Sequence, residues 1–369
     1  MSRWQWRGSV ALLAVCLAFF IYPLLPNDDV INSDWPAFAT GARLIVSDPG
    51  HLYDLDAQKA AQREVTGGRV LVTLGIEGIL PFLAPAWVAM LAVPFDALGT
   101  DLGGRVWILF GLFCLAGGLY LAIRPRPPTL MLPGFATVPT ALLLLNAQLD
   151  GVVALGIGAA IALRSRPYLC GLALGLTLVK PQLVLPLVAA VVLGQQWKVL
   201  AGWAAAGLLL LAPTLILNPH WIQDWLGQTR ATVAAGSREV DLPHLGVLLP
   251  DSVQTVAVAS LTVIAIALVL YLAWRMQAQQ MRSAIAILVI GGVLASPHSL
   301  PADLVLVALG LVIWGRATWM EWLLLSVGGL IAALTPAPLP ALVGLAVFAW
   351  LLGRISLWPP PEPAPASPR

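Results

Sequence analysis

The sequence predicts an all-α protein that crosses a membrane many times. Of its 369 residues, 59% are hydrophobic and 10% are charged, whereas soluble domains carry about 25% charged residues. Apolar runs recur from Val10 almost to Trp358, and helices satisfy all their backbone polar groups within lipid. The short alternating segments of a membrane barrel are not seen in the sequence. We therefore expect one helical domain over 1–358 with about 11–13 membrane segments, and a proline-rich, disordered tail over 359–369.

The first predicted element is an uncleaved membrane anchor over about residues 9–25. A basic start with Arg3 and Arg7 precedes it, and no clear small-x-small cleavage site follows it. Both arginines should remain in the cytoplasm under the positive-inside rule. The polar region 26–78 then forms the first outer loop.

A proline-broken apolar segment, 79–97, comes next and is predicted to re-enter the membrane or to lie along it. This interpretation is needed because, with a cytoplasmic N-terminus, the basic connections lie on the cytoplasmic side of the membrane only if 79–97 does not cross it. The second outer loop is 218–246. The other apolar segments are 104–123, 129–145, 150–164, 168–179, 182–194, 198–217, 254–274, 283–295, 302–314, 320–335 and 339–353.

The short connections between these segments predict the orientation. The positive-inside rule assigns the side that carries the basic connections to the cytoplasm. The protein is thus expected in the inner (plasma) membrane, with its active site on the extracytoplasmic face. The basic connections are RPRPP (124–128), RSRP (164–167), QQWK (195–198), RMQAQQMR (275–282) and WGRATWMEW (314–322).

Composition and motifs exclude several classes of function. A net charge of +2 without a basic patch in the sequence argues against nucleic-acid binding. No Gly-rich phosphate loop, GxSxG or HExxH occurs. The three cysteines lie inside apolar runs, without the spacing of a disulfide framework or a metal site. We expect no cofactor and no metal; a divalent ion is compatible with the sequence, but nothing indicates one.

Asp34 is the candidate general base, and it lies about eight residues after the first span. Trp35, Phe38, Ala42 and Ile45 follow it at helical spacing, which predicts a helix along the membrane surface that starts near Ser33 or Asp34. Aspartate is also a good N-cap, so the pattern leaves a capping role and a catalytic role equally open.

Lys180 is a candidate phosphate ligand, since it follows an apolar run and precedes Pro181, which should break the helix there. The alternative is that Lys180 only extends to the membrane interface. Asn146 and Gln148, in the NAQLD stretch before the next span, are candidate donor-binding residues. An ordinary polar loop explains that stretch equally well.

His298 lies between Pro297 and Pro301 at another helix break, where a histidine could contact phosphate or transfer a proton. A structural role for a single loop histidine is equally open. Asp303 has the position of a helix start. Asp48 and Asp54 fit a turn and a loop better than a second catalytic carboxylate.

In their order and spacing, these stretches resemble glycosyltransferase family 87 of the GT-C superfamily over roughly residues 10–315. Two differences stand out. The family often has Tyr-Pro-Pro where this chain has GILPFLAP, and Gly-Gln where it has NAQLD. The matching stretches are SDWPAFATGARLI ending in HLYD, LPFLAPAWVAMLAVPFDALG, NAQLD, GLALGLTLVKPQLVLPLVAAVVLGQQWKVL and SPHSLPADLVLV.

The resemblance implies a GT-C-like helical bundle with outer-face loops and a hexosyltransferase activity. The donor would be a polyprenyl-phosphate sugar such as the mannose derivative, and the acceptor a glycan or glycolipid in the bilayer. By the same resemblance Asp34 is the base, Lys180 and His298 stabilise the leaving phosphate, and the anomeric carbon is inverted.

Two other functions compete with sugar transfer. A transporter or flippase of a lipid-linked or small polar substrate would place ionisable groups near mid-bilayer on broken helices, often in related halves. Here those groups are predicted at one face. A non-catalytic scaffold would tolerate substitution of Asp34 and Lys180.

Overall fold

The computed structural model describes residues 30–69, 78–233, 239–277 and 280–357. The predicted anchor, with Arg3 and Arg7, and the predicted tail 359–369 lie outside the described residues. The α-helices of the described part are α1 (Trp35–Ser47), α2 (Leu55–Thr66), α3 (Ala86–Asp96), α4 (Thr100–Ile123), α5 (Leu132–Phe135), α6 (Val138–Leu145), α7 (Asp150–Ala162), α8 (Pro167–Leu174), α9 (Leu185–Leu193), α10 (Trp197–Leu217), α11 (Trp221–Val233), α12 (Asp251–Gln277), α13 (Met281–Leu294), α14 (Val305–Trp314), α15 (Trp319–Leu334) and α16 (Leu339–Leu357).

The fold confirms the prediction of an all-α protein with several membrane helices. Four helices in the described part are long and apolar enough to span a membrane: α4, α10, α16 and Ser252–Met276 within α12. A fifth span results if the pair Pro128–Phe135 and Val138–Leu145, bent by 69°, is counted as one. Seven further apolar helical segments have 10–17 residues. The number of crossings and the single domain over 1–358 stay predictions.

The proline-broken segment 79–97 contributes only the short helix α3. Its 11 residues extend about 16 Å, roughly half the hydrocarbon thickness of a bilayer. Such a helix is too short to cross alone, in line with the predicted re-entrant or surface position. The described part of the first predicted outer loop, 30–69, folds into α1 and α2.

Helices α4 and α7 pack closely because glycines face each other along their contact. A Cβ atom added at Gly151 would lie 2.1 Å from the Gly111 carbonyl oxygen, and one at Gly158 would lie 2.1 Å from the Gly118 carbonyl oxygen. Only glycine allows backbones to approach this closely. This contact fixes the start of α7, where the NAQLD stretch ends.

Helix α14 lies at the centre of the bundle, and all ten of its residues are buried. A helix that is apolar on every side is stable only where neighbours surround it. It packs against α13 and α4 and follows a 3-10 turn, Pro301–Leu304. The buried core places Asp303, in that turn, deep within the protein.

Two buried glutamines of α2 hold the segment that precedes α3. Gln58 accepts a hydrogen bond from the Phe82 N–H at 2.8 Å, and Gln62 accepts one from the Leu80 N–H at 2.8 Å. The Gln62 amide also donates to the Leu80 carbonyl oxygen at 2.7 Å. Buried amides need such partners, so these pairs lock α2 to the chain segment entering α3.

Aromatic side chains join α11 to α3 and to the chain segment that precedes it. The Trp225 indole N–H donates to the Leu83 carbonyl oxygen at 2.7 Å. Trp221 is 1% exposed, and its ring centroid lies 5.3 Å from that of Trp87. The Trp87 N–H in turn donates to the Leu178 carbonyl oxygen at 3.0 Å, two residues before Lys180. The second predicted outer loop is therefore joined through Leu83 and Trp87 to the turn that carries Lys180.

Candidate functional site

Asp34 holds the N-cap position of α1, but its side chain makes no capping hydrogen bond. The neighbouring Ser33 makes the capping hydrogen bond instead. Its hydroxyl accepts from the Trp35 N–H at 3.2 Å and donates to the Val30 carbonyl oxygen at 2.7 Å. The helix predicted after Ser33 is confirmed. The Asp34 carboxylate, which is half-buried, is left available for other contacts.

The carboxylate of Asp34 contacts the NAQLD stretch. Oδ2 accepts a hydrogen bond from the Gln148 amide, and the Asp34 backbone N–H donates to the Asn146 carbonyl oxygen at 3.2 Å. Between them, Ala147 has a φ of 51°, in the left-handed region that favours glycine. This turn directs Gln148 toward Asp34.

The surroundings of Asp34 change its acidity. Burial raises the pKa of the carboxyl group to about 6, and the charge of Lys180 and the hydrogen bond from Gln148 limit the rise. Like burial, the negative charge of Asp303 raises the pKa of Asp34. A carboxylate with a pKa near 6 is still ionised at neutral pH and is a stronger base than an ordinary aspartate.

Lys180 is held between two buried carboxylates. Its Nζ lies 3.0 Å from Asp150 Oδ2 and 2.6 Å from Asp303 Oδ1. The exposed fraction of the lysine side chain is 15%, and those of the two aspartates are 0% and 3%. One ammonium group is thus held between two buried carboxyl groups.

A break in the helix brings Lys180 to this position, as its sequence context predicts. Helix α8 continues as a 3-10 turn, Gly175–Val179, and a second 3-10 turn, Pro181–Val184, leads into α9. Lys180 itself has φ −141° and ψ 71°, outside the helical region. The residue before a proline is pushed out of the helical region, so Pro181 explains the break.

His298 belongs to a second group of ionisable side chains. Its Nδ1 lies 2.6 Å from Glu239 Oε1, and His244 Nδ1 lies 2.8 Å from Glu239 Oε2. The Glu239 side chain is 0% exposed, whereas that of His298 is 36% exposed. One buried glutamate thus joins two histidines, one of which reaches the surface.

Glu239 raises the pKa of the imidazole rings of both His298 and His244. Burial alone would lower the pKa of His298, and the hydrogen bond and charge of Glu239 outweigh it, with smaller contributions from Asp303 and Asp241. The pKa of His298 is therefore raised above its ordinary value. The same glutamate raises the pKa of His244, mainly through its hydrogen bond.

Asp241 ties this group to the segment before α14. Its carboxylate accepts hydrogen bonds from the His244 N–H and the Ser299 N–H, each at 2.8 Å. Burial, followed by the charge of Glu239, raises the pKa of Asp241 to about 7. Backbone bonds from Val240 to Ser299 and from Leu242 to Leu294 continue the contact. The described end of the second predicted outer loop, 239–246, is thereby fixed beside His298.

The structure thus brings five predicted candidates into one region. Asp34, Asn146, Gln148 and Lys180 are connected directly or through charge, and Asp303 links Lys180 to the surroundings of His298. The exposed residues Asp48, Asp54 and His220 remain apart. Asp54 caps α2 by accepting from the Ala57 N–H at 2.8 Å, as expected for a loop-shaping residue.

The sequence interpretation missed Glu239, Asp241 and His244. All three come from the stretch REVDLPHLG, 238–246, in the second outer loop. The signal was a concentration of acids and a histidine around a proline in an otherwise apolar chain, which is uncommon in membrane proteins.

The described part of the chain contains no group of three or more His, Cys, Asp or Glu side chains arranged to hold a metal ion. Lys180 occupies the space between Asp150 and Asp303, and Glu239 faces histidine nitrogens that carry hydrogens when protonated.

Comparison with protein families gives one match. The model of glycosyltransferase family 87 matches residues 82–297, more than half of the chain. The chain belongs to glycosyltransferase family 87. It is therefore a membrane glycosyltransferase, and this membership favours sugar transfer over transport. No curated protein and no solved structure matches it.

The family 87 match covers only part of the candidate site. Asn146, Gln148 and Lys180 lie within the matched residues, whereas Asp34 lies before them and His298 one residue after them. The roles of Asp34 and His298 must therefore be argued from geometry. Ala147 lies in the NAQLD stretch within the matched residues, and its positive φ is a backbone conformation that favours glycine.

Proposed function

We propose that the protein transfers a hexose, mannose in particular, from a polyprenyl phosphate to a hydroxyl group of a glycan or glycolipid acceptor. The reaction takes place at the extracytoplasmic face of the inner (plasma) membrane, with the N-terminus in the cytoplasm. The observation that carries this proposal is the Asp34 carboxylate, relieved of capping by Ser33 and held beside Lys180.

Asp34 acts as the general base in this mechanism. It takes the proton of the acceptor hydroxyl while the oxygen forms a bond to the anomeric carbon. The bond from that carbon to the phosphate oxygen breaks, and its electron pair leaves with the polyprenyl phosphate. Attack from the side opposite the leaving group inverts the anomeric carbon.

His298 and Lys180 stabilise the leaving phosphate. The Nδ1 of His298 is bound to Glu239, so its second ring nitrogen is the one that can donate to substrate. Lys180 neutralises charge that would otherwise repel a phosphate, and its positive charge attracts the leaving group while its Nζ hydrogen-bonds to Asp150 and Asp303. Asn146 and Gln148 orient the sugar next to Asp34.

A donor panel tests the proposal. Purified protein in detergent is incubated with radiolabelled polyprenyl-phosphate sugars and extracted membrane acceptors. We expect label in the acceptor and release of free polyprenyl phosphate, with the mannose donor used fastest. Uptake of intact donor into vesicles without release of polyprenyl phosphate would instead favour a transporter.

Gln148 controls the pH dependence of the base. Because the active form of Asp34 is the carboxylate, the transfer rate should fall as the pH drops through about 6. Gln148→Leu removes a hydrogen bond that lowers this pKa, so the acid limb of the kcat/KM profile should move to higher pH by about one unit.

Asn146→Ala is the matched control, because only the backbone carbonyl of Asn146 bonds to Asp34, and this group is retained. Its acid limb should stay where it is in the wild type. The same limb in Gln148→Leu and wild type would show that Asp34 is not the titrating base.

Glu239 is proposed as the residue that positions His298 and keeps it protonated. Glu239→Gln preserves size but removes the negative charge, so His298 should lose its proton at lower pH. The alkaline limb of the kcat profile should then move down by about 1–3 pH units. Glu64→Gln, at an exposed glutamate of α2, should leave the limb unchanged. An unmoved limb in Glu239→Gln would reject the positioning role.

A further inference from the structure

An arginine-lined cavity lies away from the Asp34 site. Its volume is about 230 Å³, and Arg124, Arg164 and Arg282 contribute to its wall. This is smaller than the roughly 300–1,000 Å³ of pockets for drug-sized ligands. A headgroup-sized molecule is therefore the appropriate occupant. The apolar part of the wall includes Ala122, Ile161, Ile285 and Ile313.

The cavity lies at the opposite ends of the helices that carry the candidate site. Helix α7 begins at Asp150 and reaches the cavity at Ile161, about 16 Å further along its axis. Helix α13 runs the other way, from Arg282 at the cavity to Leu294, just before His298. The two sites are thus separated by the length of the helices.

The three arginines of the wall are supplied by three of the five basic connections identified in the sequence, and Arg126 and Arg316 lie in the same or another of these connections. Burial lowers the pKa of Arg126, and the positive charges of Arg282 and Arg316 lower it further, so the Arg126 guanidinium is repelled by both of these arginines. Arg164 acts on Arg282 in the same way. Such repulsion is unfavourable unless an anion relieves it.

Acidic partners for these groups do not occur in the described ranges. No ion pair there joins a carboxylate to Arg124, Arg126, Arg164, Arg282 or Arg316. Arg282 Nη2 donates to the Arg124 carbonyl oxygen at 3.3 Å, while its Nη1 is buried without a hydrogen-bond partner in the described structure. A buried charged donor without a partner costs about 1–3 kcal/mol or more, so a ligand acceptor is expected there.

We propose that this cavity binds a phosphate group, provided either by an anionic phospholipid headgroup or by free phosphate. The planar forks of arginine bind phosphate oxygens in pairs. Basic pockets between membrane helices are suited to anionic headgroups, and the isoleucine wall would contact the glycerol and first acyl carbons. The site is separate from sugar transfer and does not depend on the proposed mechanism.

Native mass spectrometry of the detergent-solubilised full chain tests the site. The protein is titrated with phosphatidylglycerol, and in parallel with phosphatidylcholine, whose headgroup carries no net charge. We expect retention of phosphatidylglycerol in the wild type and at least tenfold weaker binding in Arg164→Gln/Arg282→Gln. Arg275→Gln, an exposed arginine at the end of α12 outside the cavity wall, removes one similar charge and should bind like the wild type.

Inorganic phosphate distinguishes the two sources. If it displaces phosphatidylglycerol, or raises the melting temperature of wild type but not of the double variant, the cavity accepts phosphate from either source. If it does neither while the lipid still binds selectively, the ligand is the headgroup. Equal binding of both lipids by the wild type, or equal loss in Arg275→Gln and the double variant, would overturn the proposal. The melting temperature and gel-filtration profile without ligand show whether the double variant is folded.

Discussion

Asp34→Asn should reduce sugar transfer by about 10²–10⁴-fold, the usual contribution of a general base. Asparagine has nearly the same shape as aspartate but cannot accept the proton of the acceptor hydroxyl at neutral pH. The loss should appear in kcat, since donor binding relies on other side chains. Initial rates with saturating donor and acceptor measure it.

The fold should tolerate this substitution. The Asp34 side chain does not cap α1, and an asparagine oxygen can still accept from the Gln148 amide. Asp48→Asn and Asp54→Asn are matched controls in the same polar region, 26–78. Asp48 pairs with His51 at the surface, and asparagine caps a helix as well as Asp54 does. Both controls should keep wild-type rates. Wild-type transfer by Asp34→Asn as well would exclude the base assignment.

Lys180→Met should have the second large effect, on stability and activity together. It leaves the carboxylates of Asp150 and Asp303 buried without a counter-charge, and breaking a buried ion pair in this way costs about 3–5 kcal/mol. We expect a markedly lower melting temperature in detergent and no measurable transfer. Lys198→Met, at an exposed lysine, should change neither property.

A rescue variant separates the structural role of Lys180 from its role toward phosphate. Lys180→Met/Asp150→Asn/Asp303→Asn removes all three charges, and the new amide at 303 can still accept from the Leu300 N–H. Its melting temperature should return toward that of the wild type. If Lys180 binds phosphate, the KM for the donor stays raised in this stable variant. A wild-type KM would limit Lys180 to neutralising the two aspartates.

The sequence predicted the positions of the helices better than the partners of their side chains. Long apolar runs determined the helix positions, and Pro181 determined the break at Lys180, because both effects are local. The partners of Lys180 are 30 and 123 residues away in the chain, and Glu239 is 59 residues from His298. Such contacts depend on which helices are neighbours, and periodicity carries no information about that order.

The role of Asp34 could not be decided from pattern for a different reason. Ser33 and Asp34 are both strong capping residues, and either could have served α1. In the structure Asp34 has the N-cap position, but the side chain that accepts a hydrogen bond from the first turn is that of Ser33.

Because Ser33 makes the capping hydrogen bond and Asp34 is the proposed base, the two positions should evolve differently. Ser33 supplies a helix cap that threonine can also supply, because its hydroxyl both accepts and donates, so exchange for threonine should be nearly neutral over generations. Position 34 has no such latitude if the carboxylate is the base. Among homologous sequences we therefore expect variation at position 33 and an invariant aspartate at position 34. That pattern would be expected if Ser33 serves folding and Asp34 serves the reaction.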